Sequence, residues 1–265
     1  MPLVSIVTPC YNQGIYIQET IDSVLAQEYK DFEYIIVNDG STDDYTNSTL
    51  SSIDHPQIEV IHTQNQGLAS ARNTGIKHAK GEIILPLDSD DTIGPYYVKE
   101  AVDAFGCDKE IGLVYCQAEL FGEKQGLWIL PEYSLDKILF NNMIFHCAFF
   151  YKKDWVQAGG YKSNMIYGWE DWDFWLSIIE SGRKVYKIPG VHHYYRVRNN
   201  SMVRSMDYEH EVQMYSQIIK NHSKLFIDNS YIFSQKIREL NIPIRDKLRN
   251  RLIAKVKRLS SYFFR

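Results

Sequence analysis

Long apolar runs are missing from this sequence. No stretch approaches the roughly eighteen residues that a membrane-spanning helix requires, and the segment from Met1 to Thr8 reads as an opening strand without the flanks of a signal peptide. A cytosolic location is the expectation. Cysteine is scarce too: Cys10, Cys107, Cys116 and Cys147 form no C-x-x-C pair and sit among mostly apolar neighbours, so they read as reduced core thiols rather than zinc ligands or disulfides. Two phosphate-binding signatures are absent. No G-x-G-x-x-G follows the first strand-like segment and no G-x-x-x-x-G-K-[ST] occurs anywhere, which removes support for dinucleotide oxidoreductases and P-loop ATPases. No internal repeat is evident. With 45% hydrophobic and 23% charged residues, 15 Gly and 8 Pro, disorder and collagen are excluded, and 265 residues suffice for a sizeable core in one large or two small domains.

Positive charge is thin over most of the chain and concentrated at its end. From Ile244 to Arg265 eight basic residues stand against Asp246 alone, a net +7 within a chain totalling −4, so the remainder carries −11. That balance argues against a general nucleic-acid binder and for one local anionic partner at the tail. Ile244, Leu248, Leu252, Val256, Leu259 and Phe263 follow helical spacing with Tyr262, Phe263 and Phe264 clustered at the end, a basic amphipathic helix suited to an anionic membrane surface. Packing of that helix on the acidic body or on a second subunit of a homo-oligomer is the other possibility.

Strand-like runs at Val4–Thr8, Tyr34–Val37, Ile58–Ile61, Glu82–Leu87 and Leu113–Cys116 alternate with helical patterns such as Ile15–Gln27, which carries Ile17, Ile21, Val24 and Leu25 at 3/4 spacing. The alternation predicts an α/β fold, a mostly parallel sheet flanked by helices, with ligands beyond the carboxyl ends of the strands. The polar residues that stand out lie at those ends: Pro9-Cys10-Tyr11-Asn12, Asn38-Asp39-Gly40-Ser41 and Asp88-Ser89-Asp90-Asp91. After about residue 117 the alternation stops and aromatic residues crowd in, which suggests a pocket wall. A helix over Glu170–Ser181, strand pieces at Lys184–Ile188 and His192–Val197, and a helical pattern over Tyr208–Asn221 follow.

Asp88 and Asp90, two apart after a buried strand, project to one face and can hold a hard cation of the Mg²⁺ or Mn²⁺ type that is completed by substrate phosphates. Capping of a helix near Gly94-Pro95 by Asp90 or Asp91 is the other reading of the pair, although Asp88, further from that helix, is harder to explain by capping. Asp39, at a strand end, can accept from the imide N–H of a pyrimidine or the similar donor pair of guanine, but finds no such donor on adenine. Ser41 or Thr42 reads as a helix cap. In Gln64–Gly75 the small residues Ala71 and Gly75 predict close helix–sheet packing, and Arg72 among them reads as a partner for carboxylate or phosphate. Glu170, Asp171 and Asp173 stand among Trp169, Trp172, Phe174 and Trp175. Burial there would raise the pKa of Asp171 toward a useful value for a base. On the strand His192–Val197, His192, Tyr194 and Arg196 share one face and His193, Tyr195 and Val197 the other. Arg196 could neutralise diphosphate charge, and a packed, hydrogen-bonded role fits the histidines better than metal ligation.

Together these stretches resemble the family 2 glycosyltransferases of the nucleotide-sugar GT-A fold: Val4–Asn12, Ile35–Asp43, Asn65–Gly75 and Leu87–Asp91 in order, with Trp169-Glu170-Asp171-Trp172-Asp173 extending the likeness to about residue 200. The resemblance implies metal-dependent, inverting transfer from a nucleotide diphosphate sugar, with Mn²⁺ or Mg²⁺ as cofactor. It implies that Pro9, Tyr11, Asp39 and Arg72 line the nucleotide, that Asp88 touches ribose or the metal's water shell, and that Asp90 binds the metal. It also assigns Asp171 as the base, Trp169 and Glu170 to the acceptor side, and supports Arg196 as part of a Tyr-Arg pair. Asn38 departs from the family's frequent aspartate. The expected organisation is a transferase domain over 1–205, with a nucleotide-sugar half (1–116) and an acceptor half (117–205), then a helical extension over 206–265 ending in the basic tail 244–265. A glycan or lipid-linked acceptor in surface-polysaccharide assembly, at the inner face of the cytoplasmic membrane, is the family-level expectation. A sugar nucleotidyltransferase and a binding scaffold without turnover stay as alternatives.

Overall fold

The computed structural model describes residues 3–198 and 206–239; the basic tail 244–265 lies outside them. The chain runs β1 (Val4–Cys10), α1 (Gly14–Leu25), β2 (Phe32–Asp39), α2 (Asp44–Ser51), β3 (Ile58–Thr63), α3 (Leu68–His78), β4 (Ile83–Pro86), β5 (Thr92–Ile93), α4 (Tyr97–Cys107), β6 (Ile111–Gly122), β7 (Gly126–Trp128), α5 (Leu135–Ile138), β8 (Phe149–Tyr151), α6 (Lys152–Ala158), α7 (Glu170–Glu180), β9 (Lys184–Val197) and α8 (Tyr208–Asn221). One sheet has the order β3-β2-β1-β4-β8-β6-β9-β5, with β7 paired to β6. The first four strands in that order are parallel, as the alternation predicts. All seven residues of β1 are buried, as in a central strand covered on both faces, and its two polar members are paired: Ser5 Oγ donates to Glu33 Oε1 and Thr8 Oγ1 accepts from the Tyr34 hydroxyl.

The chain leaves β1 for β2 on one side and returns to β4 on the other, so a crevice opens at the carboxyl end of β1. Ile17, Ile21 and Val24 bury the predicted face of α1. α3 lies close to the sheet because Gly75 has no side chain: a Cβ there would come within 2.4 Å of Val7 Cγ1. Cap chemistry differs from expectation at one helix, where Asp43, not Ser41 or Thr42, accepts from Thr46 N–H.

The second half departs further from the sequence reading. β8 enters antiparallel between β4 and β6. Lys184–Ile188 and His192–Val197 are one continuous strand, β9, parallel to β6 with register shifts between Tyr115 and Ala118. Most of the aromatic crowd is core rather than pocket wall: Phe149, Phe150, Trp172, Phe174 and Trp175 are buried. Cys10, Cys116 and Cys147 are buried thiols as expected, whereas Cys107 is exposed. α8 packs on this unit through Tyr215, whose hydroxyl donates to Leu139 O at 2.9 Å, and through Asn221, which donates to Asp173 at 2.7 Å. A second compact unit begins at His222 and contains α9 (Ser223–Asp228) and a helix over 230–239. No helix among the described residues is long and apolar enough to cross a membrane.

Candidate active site

Three loops meet at the carboxyl ends of β1, β2 and β4. Asn12, at φ +53, joins the first two: its Oδ1 accepts from Thr42 N–H at 2.7 Å and Asp43 N–H at 3.1 Å, and its own N–H donates to Ser41 Oγ. Gly40, at φ +66, lets the loop after β2 touch the loop between β3 and α3, since a Cβ there would sit 2.5 Å from Asn65 N. Asn38 is buried and turned away from the crevice, donating to Asn47 and accepting from Ser41 N–H. An aspartate there would lose the amide donor, which gives the departure from the family pattern a structural reason. Asp39 is also buried, and its two oxygens accept from Gln66 N–H at 3.0 Å and Gly67 N–H at 2.9 Å. A carboxylate has about four acceptor sites, so capacity for a ligand donor is left.

These loops form one side of a cleft of about 970 Å³ whose lining includes Pro9, Tyr11, Asp39, Arg72, Asp88 and Asp90. Trp169, Glu170 and Asp171 line the same cleft from the first turn of α7. The structure thus brings together every expected site residue except Arg196. That side chain is turned out of the cleft: Nη2 lies 2.8 Å from Glu19 Oε2, Nε donates to Asp90 O, and the guanidinium stands 4.3 Å from the Phe121 ring centroid. Those contacts hold the Asp90 end of the loop after β4 rather than leaving a charge for diphosphate. Its neighbour Arg198 lines the cleft instead, with Nη2 2.7 Å from Asp90 Oδ2.

Arg72 spans the cleft floor. Its side chain is 1% exposed, and it donates to Asp88 Oδ1 at 2.7 Å and to Glu170 Oε1, so it joins the β4 loop to α7. Burial works against the Asp88 carboxylate, but Arg72 and then His146 outweigh it and hold its pKa below the ordinary value. Asp91 is not a helix cap. It is fully buried, with His193 Nε2 at 3.0 Å and His146 Nε2 at 3.2 Å from Oδ2, while Oδ1 accepts from Arg196 N–H. Burial opposes its ionisation, yet the two histidines hold it well below the usual carboxylate range. His192 faces away, stacked on Tyr97 with ring centroids 5.7 Å apart and 3.2 Å from Glu100.

Asp90 differs from its neighbours. Its carboxyl is pushed up to about 7, first by burial and then by the charges of Asp91 and Asp88, against the pull of Arg198. Asp88 and Asp90 present carboxylate oxygens to the cleft with Asp91 buried behind them, and oxygen donors of this kind suit a hard divalent cation. The residues therefore fit the metal expected at Asp90. A second group, Asp91, His146 and His193, offers ligand atoms within 4.8 Å of one another, a mixed nitrogen and oxygen set that admits Mn²⁺ more readily than Mg²⁺.

On the opposite side, the three acids of α7 have three fates. Glu170 pairs with Arg72. Asp173 is buried against Lys162 at 3.4 Å and Asn221. Asp171 is half-buried in the cleft wall, where it accepts from Asn142 Nδ2 at 3.1 Å and Trp172 N–H at 2.7 Å. Burial and then the Glu170 charge push it up to about 6. Sequence reasoning missed His146, Asn142 and Arg198, which reach the site only because β8 and β9 place them there.

A family model described as glycosyl transferase family 2 matches residues 5–166. The chain belongs to that family. Among its relatives, the chondroitin synthase of Pasteurella multocida (strain Pm70) is 34% identical over 192 residues, which is 69% of this chain and 19% of the synthase. This family 2 chain therefore spans about a fifth of that relative's length. Its fold is similar to that of S. aureus TarS 1-349 in complex with UDP-GlcNAc, at TM-score 0.67 and 20% identity over 83% of this chain and 66% of that one. The mannosyltransferase PcManGT from Pyrobaculum calidifontis, in complex with GDP-Man and Mn²⁺, gives TM-score 0.66 and 22% identity over 87% of this chain and 70% of that one. The family 2 chain has the GT-A fold.

Proposed function

We propose that this family 2 chain is an inverting glycosyltransferase that moves a sugar from a nucleotide diphosphate sugar, a UDP-sugar by preference, to a hydroxyl of a glycan or lipid-linked acceptor. The observation that carries the reading is a single cleft lined at once by Asp39, by Asp88 and Asp90, and by Asp171. Asp39 supplies a carboxylate acceptor for the base, and the complexes of TarS with UDP-GlcNAc and PcManGT with GDP-Man support uracil or guanine in that position. Asp90 would hold a divalent ion, which when bound would supply positive charge to the departing diphosphate. Asp171 takes the proton of the acceptor hydroxyl as its oxygen attacks the anomeric carbon, and the electron pair of the breaking C–O bond leaves with the diphosphate. Attack from the face opposite the leaving group inverts the centre. Trp169 and Glu170 belong to the acceptor side, with Glu170 held through Arg72 to the donor side. Residues 244–265 bring the chain to an anionic membrane surface at the cytoplasmic face, where a lipid-linked acceptor of polysaccharide assembly is presented.

The test uses the full chain with UDP, GDP, CDP and ADP in calorimetry, each with Mn²⁺ and with chelator, beside turnover of a UDP-sugar panel. Asp171→Asn is expected to lower kcat by roughly 10²- to 10⁴-fold with UDP affinity intact. Unchanged turnover removes Asp171 as the base, and failure of every nucleotide diphosphate to bind removes the transferase reading.

A further inference from the structure

Four basic side chains partner the three carboxylates of the β4 loop, and they differ in how firmly they are held. Arg72 is 1% exposed and fixed to two carboxylates, His193 is 0% exposed on Asp91, and His146 is 11% exposed between Asp88 and Asp91. Arg198 is 27% exposed, and Asp90 is its ion-pair partner. It follows directly on the last residue of β9 and lines the cleft. Its Nε is buried without a hydrogen-bond partner among the described residues. A guanidinium that lines a cleft read as a diphosphate site, with one of its donors unused, is placed to turn and donate to an anionic oxygen.

We propose that Arg198 is the resident cation of Asp90 in the nucleotide-free protein, that a divalent ion must displace it, and that the nucleotide diphosphate takes up the displaced guanidinium. This rests on Asp90 as the divalent-ion ligand. An ion on Asp90 would stand close to the guanidinium, and two cations of that charge repel across a partly buried site. Asp90 therefore cannot serve both at full strength. The diphosphate resolves the conflict because it offers Arg198 a second anion while also ligating the ion. Metal and nucleotide accordingly bind with positive coupling, each strengthening the other by the same factor. Arg72 and His146, tied to carboxylates at the cleft floor, have no comparable freedom to move.

The experiment measures Mn²⁺ binding to the full chain by electron paramagnetic resonance of the free ion, with and without UDP, for the natural protein, Arg198→Met and Asp90→Asn. Arg198→Gln serves as a second neutral variant should the methionine variant fail to fold. Removing the guanidinium is expected to tighten Mn²⁺ binding without nucleotide about tenfold or more, and to shrink the UDP-induced gain by a similar factor. Asp90→Asn is expected to lose the UDP-responsive Mn²⁺ binding, whereas any Mn²⁺ held by Asp91, His146 and His193 would persist without a response to UDP. Equal or weaker Mn²⁺ affinity in the Arg198 variants, or an unchanged UDP-induced gain, overturns the role of Arg198 while leaving Asp90 as ligand. If no protein binds Mn²⁺ even with UDP, or Asp90→Asn binds it as well as the natural protein, the metal reading itself falls and this inference with it.

Discussion

Neighbouring side chains of one chemical type behave differently here because each has different partners. Glu170, Asp171 and Asp173 are all carboxylates on one helical turn, yet Asp171 alone is half-buried at the cleft without a cation on it. Its pKa, raised to about 6 by burial and Glu170, sets the sign of a pH effect. A base must be ionised, so kcat/KM is expected to fall tenfold per pH unit below about 6 and to level off above it, as a pH–rate profile with a UDP-sugar will show. A limb that persists in Asp171→Asn would belong to another group. Arg72 carries a larger stability effect. Arg72→Met leaves Glu170, 8% exposed at its side chain, as an uncompensated buried charge, and breaking such a pair costs about 3–5 kcal/mol. Urea unfolding should show the midpoint shift. Asp39, Asp88 and Asp90 were legible in the sequence because a polar residue directly after a buried strand has only one place to point. Arg196 and Arg198 were not separable by that logic: one is the penultimate residue of β9 and the other the first beyond it, and which one faces the cleft depends on Glu19 and Phe121 occupying the other.

Among the elements, the parallel half was readable because strands buried on both faces are mostly apolar and β-branched, and the helices between them carry their own 3.6-residue period. β5, β7 and β8, of two or three residues each, are too short for any period to show. β8 is the costly omission, since its insertion between β4 and β6 is what brings the segment holding Asn142 and His146 against the β4 loop. The same scale governs α3. In Gly75→Ala the new methyl would meet Val7 and Val37, at 2.4 and 3.1 Å from their nearest atoms, in a packed layer. Replacing helical glycine by alanine gains up to about 1 kcal/mol in helix propensity, whereas overpacking costs about 1–3 kcal/mol, so a net loss is expected. Because α3 also carries Arg72, calorimetry should record weaker UDP binding along with the lowered melting temperature. An unchanged UDP affinity would show that the helix can shift without moving the arginine.

For the whole molecule, the separation of an acidic body from a basic end is the feature that composition alone makes plain. Each basic residue near an anionic leaflet contributes on the order of 1 kcal/mol. The full chain is therefore expected to co-sediment with phosphatidylglycerol vesicles and not with phosphatidylcholine vesicles, losing this in salt and on deletion of residues 244–265. Equal retention of the truncated chain would move membrane attachment elsewhere. The body's chemistry needs no tail to be read, since the donor-side and α7 residues that line the cleft fall between Pro9 and Arg198. One backbone torsion in that body shows what the cleft asks of the chain. Trp169 caps α7 at φ +63, immediately after Gly168 at φ +124. A non-glycine residue held there costs on the order of 1–3 kcal/mol, which a second glycine would recover. The indole is thus kept against a local cost that the rest of the fold offsets, and a form of this protein selected only for heat resistance would be drawn to give up the aromatic surface proposed for its acceptor.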